Sequence, residues 1–440
     1  MADGDLPRLS LVRIVEMNIG FFGLQFSFGL QQANMSPIFG FLGAEEASMP
    51  LLWLAAPVTG LLVQPVIGAM SDATATRIGR RSPYLLVGAL LCSLSLVAMP
   101  YSSALWMAAG LLWLLDAGNN ITLEPYRAYV VDRLPPAQRA TGFMIQSAFT
   151  GLAQTLSFLA PSLLAFAVDH DALGANGIPV TVRIAFVIGA ILSISTIAYS
   201  LLRVPELSLP DDERARIRDV PRGPAAALRE IRAAFMEMPP SMRQLGLAML
   251  CQWYAMFAYW QYIAFALARS LHGTADVQSA GFREATLASY RLGALYNFVA
   301  FMTAFLLIGA VRRHGARRVH VISLALSGLA MGTVSVTESM AVLMVCMIGI
   351  GLGWASMMGN TYAMLADWIP SARVGVYMGL LNMFIVLPML AESVTMPLLY
   401  GTVLRSDPRN AIFLAGILML LGAAATKHIN MPGIGKSTEV

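Results

Sequence analysis

The sequence predicts an all-α membrane protein of twelve spans, arranged as two similar six-helix halves. Three observations carry that expectation. The chain of 440 residues is 57% hydrophobic and only 12% charged. Soluble domains carry about 25% charged residues, so this chain lacks the polar surface that several soluble domains would need. Its apolar residues fall into twelve long runs, and the sequence that ends the fourth run returns at the end of the tenth.

A span needs about 20 mostly apolar residues to cross a hydrocarbon core of roughly 30 Å. Runs of that kind lie near 14–38, 50–71, 84–101, 104–129, 140–168 and 182–202. Six more lie near 245–268, 286–310, 319–335, 339–365, 373–401 and 410–427. The longer ones are expected to tilt or to extend past the lipid. The first run is too long for the core of a signal peptide and no small-residue cleavage site closes it, so it reads as a retained helix. Residues 1–202 then form the first bundle and 244–440 the second. Residues 203–243 form a polar linker whose latter part, AALREIRAAFMEM, reads as a short amphipathic helix at the membrane surface.

An even number of spans puts both termini on one side, and the basic residues choose the side. Arg77, Arg80 and Arg81 follow the second span, Arg133 and Arg139 the fourth, Arg312, Arg313, Arg317 and Arg318 the eighth, and Arg373 the tenth. The alternate loops carry Glu45 and Glu46, Asp169 and Asp171, or Asp276 with Arg283 and Glu284. By the positive-inside rule both termini and the basic loops are cytoplasmic. The same rule accounts for the net charge of +4 without nucleic acid as a partner. Three scattered cysteines and five scattered histidines show neither metal-ligand spacing nor a disulfide framework. No metal or cofactor is expected, and for want of a catalytic constellation no enzyme.

The repeat is local but specific. YVVDRLPPAQRATG (129–142) is echoed by MLADWIPSARVG (364–375), which aligns Asp132 with Asp367, Pro135 with Pro370 and, after one gap, Arg139 with Arg373. Six spans plus six spans is the plan of a major class of secondary transporters. In that class the substrate sits near mid-membrane between halves that rock around it.

Polar residues inside the spans mark candidate sites, because an ionised side chain in lipid must face the bundle interior or a cavity. Asp116 lies mid-run in the fourth span and is the first candidate for a reversible proton carrier, or else a structural carboxylate. Asn120 shares its face at i+4 and Asn119 lies beside it; with Asn382 in the eleventh span they suit either a polyol or an interhelical contact. Glu124 and Arg127 are an i,i+3 pair nearer the basic end. Arg127 reads equally as a sugar-hydroxyl donor, a partner of Asp116, or half of a gate ion pair. Glu392 reads as a second protonation site or as a wetted carboxylate near the outer mouth. Gln25 and Gln32 are seven apart and share a face of the first span. In the seventh span Trp253, Phe257 and Trp260 form an aromatic stripe that would stack on sugar faces, with Tyr296 and Asn297 of the eighth span completing the wall. Asp72, Arg80, Arg81, Asp132, Arg139, Asp367 and Arg373 read as gating groups at the basic end.

Four segments resemble one family. GAMSDATATRIGRRSPYLLVG (68–88) resembles the G-x-x-x-D…G-R-R loop of the major facilitator superfamily. Its G-x-x-S-D…G-R-R-x-P form is that of the sucrose transporters and their glycoside-pentoside-hexuronide relatives. WLAAPVTGLLVQPVIGAMSD (53–72), WLLDAGNNITLEPYRAYVVD (113–132) and GVYMGLLNMFIVLP (375–388) resemble further segments of that group. After the seventh span this chain has IAFALARSLHG in place of the acidic segment of plant sucrose transporters, so it looks more like the bacterial glucoside branch. The resemblance implies a monomeric importer of a glucoside such as maltose or sucrose, driven by protons. It also implies Asp116 as the coupling carboxylate and Arg127 as the arginine of the P-x-R-A motif. The alternatives are a carrier or exporter of a less polar or aromatic solute, and a membrane sensor that does not transport.

Overall fold

A computed structural model describes residues 6–72, 74, 76–169, 172–207, 235–366 and 374–429. Among these residues twelve long helices follow one another. The first six are α1 (Leu11–Phe41), α2 (Ala55–Asp72), α3 (Ser82–Ala98), α4 (Leu105–Arg133), α5 (Pro136–Leu164) and α6 (Val180–Arg203). The second six are α7 (Pro240–His272), α8 (Ala280–His314), α9 (Ala316–Val334), α10 (Met340–Ala366), α11 (Val374–Thr402) and α12 (Pro408–Lys427).

The helix ends follow local chemistry. The Ser279 hydroxyl accepts from the Phe282 amide and caps α8, and Asp407 accepts from the Arg409 amide and caps α12. Prolines occupy the first turn of α3, α5, α7 and α12, where a missing N–H costs nothing. Gly273 ends α7 with φ 61°, a left-handed conformation that a side chain would strain. The run expected over 50–71 is two pieces: a single helical turn at Met49–Leu52, a break at Trp53 and Leu54, then α2. Most of the expected amphipathic helix lies outside the described residues, as do Asp171, Asp367 and Arg373.

The packing repeats. In the first six helices α1 lies against α5 and α6, α3 against α4 and α6, and α2 against α4. In the second six α7 lies against α11 and α12, α9 against α10 and α12, and α8 against α10. Adding six to each number in the first set gives the second. Between the sets, α5 packs on α8 and α2 on α11, pairs that the same operation exchanges.

The outer surface is apolar. Leu62, Leu90, Leu94, Trp106, Leu306, Val345, Val394 and Leu398 are all more than half exposed. Such a surface would drive aggregation in water and is the expected one in lipid. Six segments pass a strict length-and-hydropathy test alone, among them Ser82–Tyr101, Val180–Arg203 and Pro408–Lys427. Helix α8 passes if its two parts, bent by 54°, form one span. The others average lower for a visible reason: they bury polar groups inward. Those groups are Gln25, Gln31 and Asn34 on α1, Asp116, Asn119 and Asn120 on α4, Gln146 and Gln154 on α5, Gln252 and Gln261 on α7, and His320 on α9.

Close helix crossings rest on glycine. A Cβ on Gly328 of α9 would lie 2.8 Å from the Gly416 carbonyl oxygen on α12, and one on Gly416 would lie 2.8 Å from the Gly328 oxygen. Leucine at Gly416 therefore forces α9 and α12 apart. The Gly416→Leu variant is expected to lose about 1–3 kcal/mol, read as a lower thermal midpoint in detergent. Gly110→Leu, on an open face of α4 with nothing within 4 Å, should leave the midpoint unchanged.

Candidate functional site

A hydrogen-bonded layer of side chains joins α1, α2, α4 and α11 deep inside the molecule. At its centre is Asp116, 1% exposed. The Gln31 amide donates to Asp116 Oδ1 at 2.8 Å, and Asp116 Oδ2 has no partner. Gln31 is fixed in turn, because its carbonyl oxygen accepts from Asn119 Nδ2 at 3.1 Å. Asn119 Oδ1 accepts from the Ser27 hydroxyl at 3.1 Å. One turn on from Asp116, the Asn120 amide donates to the Thr59 hydroxyl at 3.0 Å and accepts from Gln64 Nε2 at 2.6 Å. Gln64 Oε1 then accepts from Asn382 Nδ2 at 3.2 Å, so the layer crosses from the first six helices to the second.

The donors around Asp116 are neutral. Among the described residues no ion pair reaches it, so nothing there compensates a full negative charge away from water. Arg127 does not play that part. It lies eleven residues along α4, about 16 Å toward the basic end, where it is exposed and pairs with Glu124 at 3.2 Å. The expected Asp116–Arg127 partnership is replaced by Asp116–Gln31. The i,i+3 pairing of Glu124 with Arg127 is present.

The face shared by Gln25 and Gln32 divides. Gln25 accepts from Gln154 of α5 at 3.4 Å. Gln32 lines a cavity of about 20 Å³ with Tyr259, Trp260, Phe158 and Tyr296, which is room for roughly one water. The seventh-span stripe divides too. Trp253 and Trp260 both pack edge-on against Trp354 of α10, at 5.8 and 5.4 Å between ring centres. Phe257 instead meets Trp53 from the first half. The Trp260 indole donates to the Tyr296 hydroxyl at 3.2 Å, while Asn297 donates back to the Gly293 carbonyl of its own helix. Glu392 is fully buried rather than wetted, and accepts from Gln261 of α7 at 3.1 Å.

The two ends of the molecule are held differently. At the basic end Asp132 accepts from Arg80 at 2.6 Å and from Arg81 at 2.9 Å, and Arg81 also reaches Asp72 at 2.5 Å. Arg139 donates to the Leu134 carbonyl. Glu206, just beyond α6, accepts from the backbone amides of Arg80, Arg81 and Ser82 and from the Ser82 hydroxyl. It thus caps α3, whose own N-cap residue, Arg81, supplies no side-chain bond. All these residues belong to the first half or the segment that follows it. At the far end the tie crosses the halves. Glu46 accepts from Arg269 of α7 at 2.8 Å and from the Tyr400 hydroxyl of α11. Tyr262 stacks on Tyr400 with ring centres 5.1 Å apart and donates to the Glu46 carbonyl oxygen.

Sequence reasoning did not single out Gln64, Gln261, Glu206 or the Glu46–Arg269–Tyr400 tie. Gln64 stands within the V-Q-P motif and was there to be found. Glu206 and Glu46 meet their partners only across helix ends that lie far apart in the chain.

In comparison with known proteins, the family model described as Major Facilitator Superfamily matches residues 17–282. The chain is similar to sucrose transport protein SUT5 of Oryza sativa subsp. indica, 24% identical over 480 residues, which covers 93% of this chain and 87% of that one. It is 30% identical over 183 residues to sucrose transport protein SUC3 of Arabidopsis thaliana, a match that covers 36% of this chain and 31% of that one. It is 28% identical over 235 residues to proton-associated sugar transporter A of Homo sapiens, covering 49% and 31%. The structure superposes on that of the nucleoside transporter NupG with a TM-score of 0.70 at 13% identity, covering 95% of this chain and 98% of that one. That likeness establishes the fold as an integral membrane protein of two helical bundles.

Two measurements check the ends. Glu206→Gln keeps the shape but puts an amide N–H where an acceptor is needed, so trypsin cleavage at exposed Arg77 should quicken; an unchanged rate would show that α3 does not depend on this cap. Glu46→Gln weakens the tie between the halves. Labelling of a Gln32→Cys reporter by an impermeant thiol reagent, added from the far side, should then rise severalfold, and equal labelling in both backgrounds would rule the tie out as a barrier.

Proposed function

The chain belongs to the Major Facilitator Superfamily, and on that premise we propose that it imports a glucoside together with protons by alternating access. The observation that carries this reading is Asp116: a fully buried carboxyl, bonded only by a neutral amide, with one oxygen left without a partner. A group so placed alternates between a protonated form in the dry state and an ionised form when water reaches it. Its proton is the coupling ion.

The amide layer supports a polar solute. Asn120, Gln64 and Asn382 offer donors and acceptors from both halves in one chain of bonds. A sugar hydroxyl can replace any of these contacts at little cost, because each amide presents both a donor and an acceptor. The indole of Trp260 and the ring of Tyr296 lie at the neighbouring face between the halves. Their stacking surface suits a pyranose once the halves move apart. The relatives named as sucrose or sugar transporters support a glucoside as the substrate class. The basic end is taken as cytoplasmic, with both termini there, in a bacterial inner membrane. The tie at Glu46 then closes the outer side.

Aromatic side chains at the interface also favour a second reading, a carrier of aromatic glycosides. The two readings are separated by the solutes that compete for uptake. Proteoliposomes should accumulate labelled maltose or sucrose when the proton gradient is directed inward, and should lose accumulation when a protonophore collapses it. Asp116→Asn should abolish accumulation while leaving exchange of internal for external sugar. Gradient-independent uptake, or full accumulation by the variant, would remove Asp116 from the coupling mechanism.

A further inference from the structure

The second half holds a buried carboxyl of its own. Glu392 lies on α11, ten residues before the helix end at Thr402, and is 0% exposed. Gln261 Nε2 donates to its Oε2 at 3.1 Å. Glu392 Oε1 and Gln261 Oε1 are both buried and both without a partner.

The amide that holds it has a counterpart in the first half. Gln261 stands about three turns before the end of α7, and Gln31 about three turns before the end of α1. The two helices are equivalent, since α1 and α7 are exchanged by the packing repeat, and the glutamines stand at similar depths on them. Each glutamine donates to one buried carboxylate oxygen and leaves the other oxygen open. The carboxyls come from non-equivalent helices, α4 in one half and α11 in the other. The repeat has therefore kept the amide and found it an acid twice.

One further difference between the two sites bears on protonation. The carbonyl oxygen of Gln31 is occupied by Asn119, whereas that of Gln261 is open. With Glu392 ionised, the pair holds three acceptor oxygens and bonds only one of them. A proton on Glu392 supplies the missing donor: a carboxylic acid has one O–H, and the amide oxygen beside it is free to accept. It also removes an uncompensated charge from the interior, the larger gain.

Among the described residues no ion pair reaches Glu392. The titratable groups within its electrostatic reach are the hydroxyls of Tyr254 and Tyr262 on α7. Tyr400 of its own helix and Glu46 of the segment before α2 are one step further, in the tie to Arg269. Helix α2, which also packs on α11, presents the uncharged Gln64. Tyr262 belongs both to the surroundings of Glu392 and to the far-end tie, so release of that tie opens a route for protons.

We propose that Glu392, positioned by Gln261, is a second proton-binding site of this chain. Binding of the proton does not depend on which solute is carried. Its share in coupling rests on the transport reading above.

Infrared spectroscopy of the full-length protein in lipid nanodiscs, titrated with acid and base in light and heavy water, tests the binding. Near neutral pH, where exposed carboxyls are ionised, the wild type should show the C=O stretch of protonated Asp116 and Glu392. Glu392→Gln should lose one and Asp116→Asn the other. Gln261→Leu keeps the acid and removes its amide partner, so its band should persist at a shifted frequency. A Glu392→Gln spectrum equal to the wild type at every pH at which both are folded would overturn the proposal, as would a Gln261→Leu band that does not move. For coupling, the ratio of protons to maltose entering proteoliposomes should fall by one in Glu392→Gln; an unchanged ratio would remove Glu392 from the coupled step. Failure of the wild type to carry maltose would count against the glucoside reading and leave the spectroscopic result standing.

Discussion

The structure depends on one constraint: a polar side chain inside a lipid-embedded bundle must find its partners on neighbouring helices, because water is not there to supply them. The bond from Gln31 to Asp116 is its clearest expression. It ties α1 to α4, and through Asn119 and Ser27 it returns to α1 again. The same constraint explains why Asn120, Thr59, Gln64 and Asn382 form a line rather than a scatter. Each occupies the donor or acceptor that the previous one leaves open. Among the buried atoms left without a partner are one carboxyl oxygen on Asp116 and one on Glu392.

Much of the fold was legible in the sequence, because lipid imposes a simple rule on it. A run of apolar residues has to become a helix, and each expected run falls within or across one described helix apart from the break at Trp53 and Leu54. The repeat at Asp132 and Asp367 pointed to two equivalent halves, and the pairing of α1 with α6 and of α7 with α12 has the same symmetry. The site was legible in part. Asp116 stood out since an acid among leucines is costly wherever it faces. Its partner did not, because residues on different helices carry no mark of which will meet. Gln25 and Gln32 shared a face by spacing, yet the glutamine that reaches Asp116 is Gln31, one position round the helix. The aromatic stripe divides for a similar reason. Spacing of three and four residues spreads over an arc wide enough to touch two neighbours, and α7 packs against the first half on one side and α10 on the other.

The two ends obey different logic. At the basic end the charges of Arg80 and Arg81 are met by Asp72, Asp132 and Glu206, all within the first half and its following segment. That cluster stiffens one bundle and can travel with it as a rigid piece. Arg81 is the buried member of the cluster, and removing its partners would strand its charge. At the far end the ion pair spans the halves, and Glu46 opens a single 3-10 turn between α1 and α2. A tie of that kind breaks at the interface without disturbing either bundle. Rigid charge clusters inside a half and separable ones between halves are what a rocking motion requires.

The asymmetry between halves follows from the same accounting of donors and acceptors. A perfect repeat would place equal chemistry on both sides of the central plane, and a solute would then meet a symmetric site. Here the first half contributes an acid within an amide layer, and the second contributes Trp253, Trp260 and Tyr296 beside an acid set apart at Glu392. The glucoside proposed above has edges of hydroxyls and faces of C–H groups, and the two kinds of wall suit those two surfaces. The repeat provides the motion, and the departures from the repeat provide the recognition. Gln31 and Gln261 stand at the join of the two: amides on equivalent helices, each holding an acid, with only one of their carbonyl oxygens already taken.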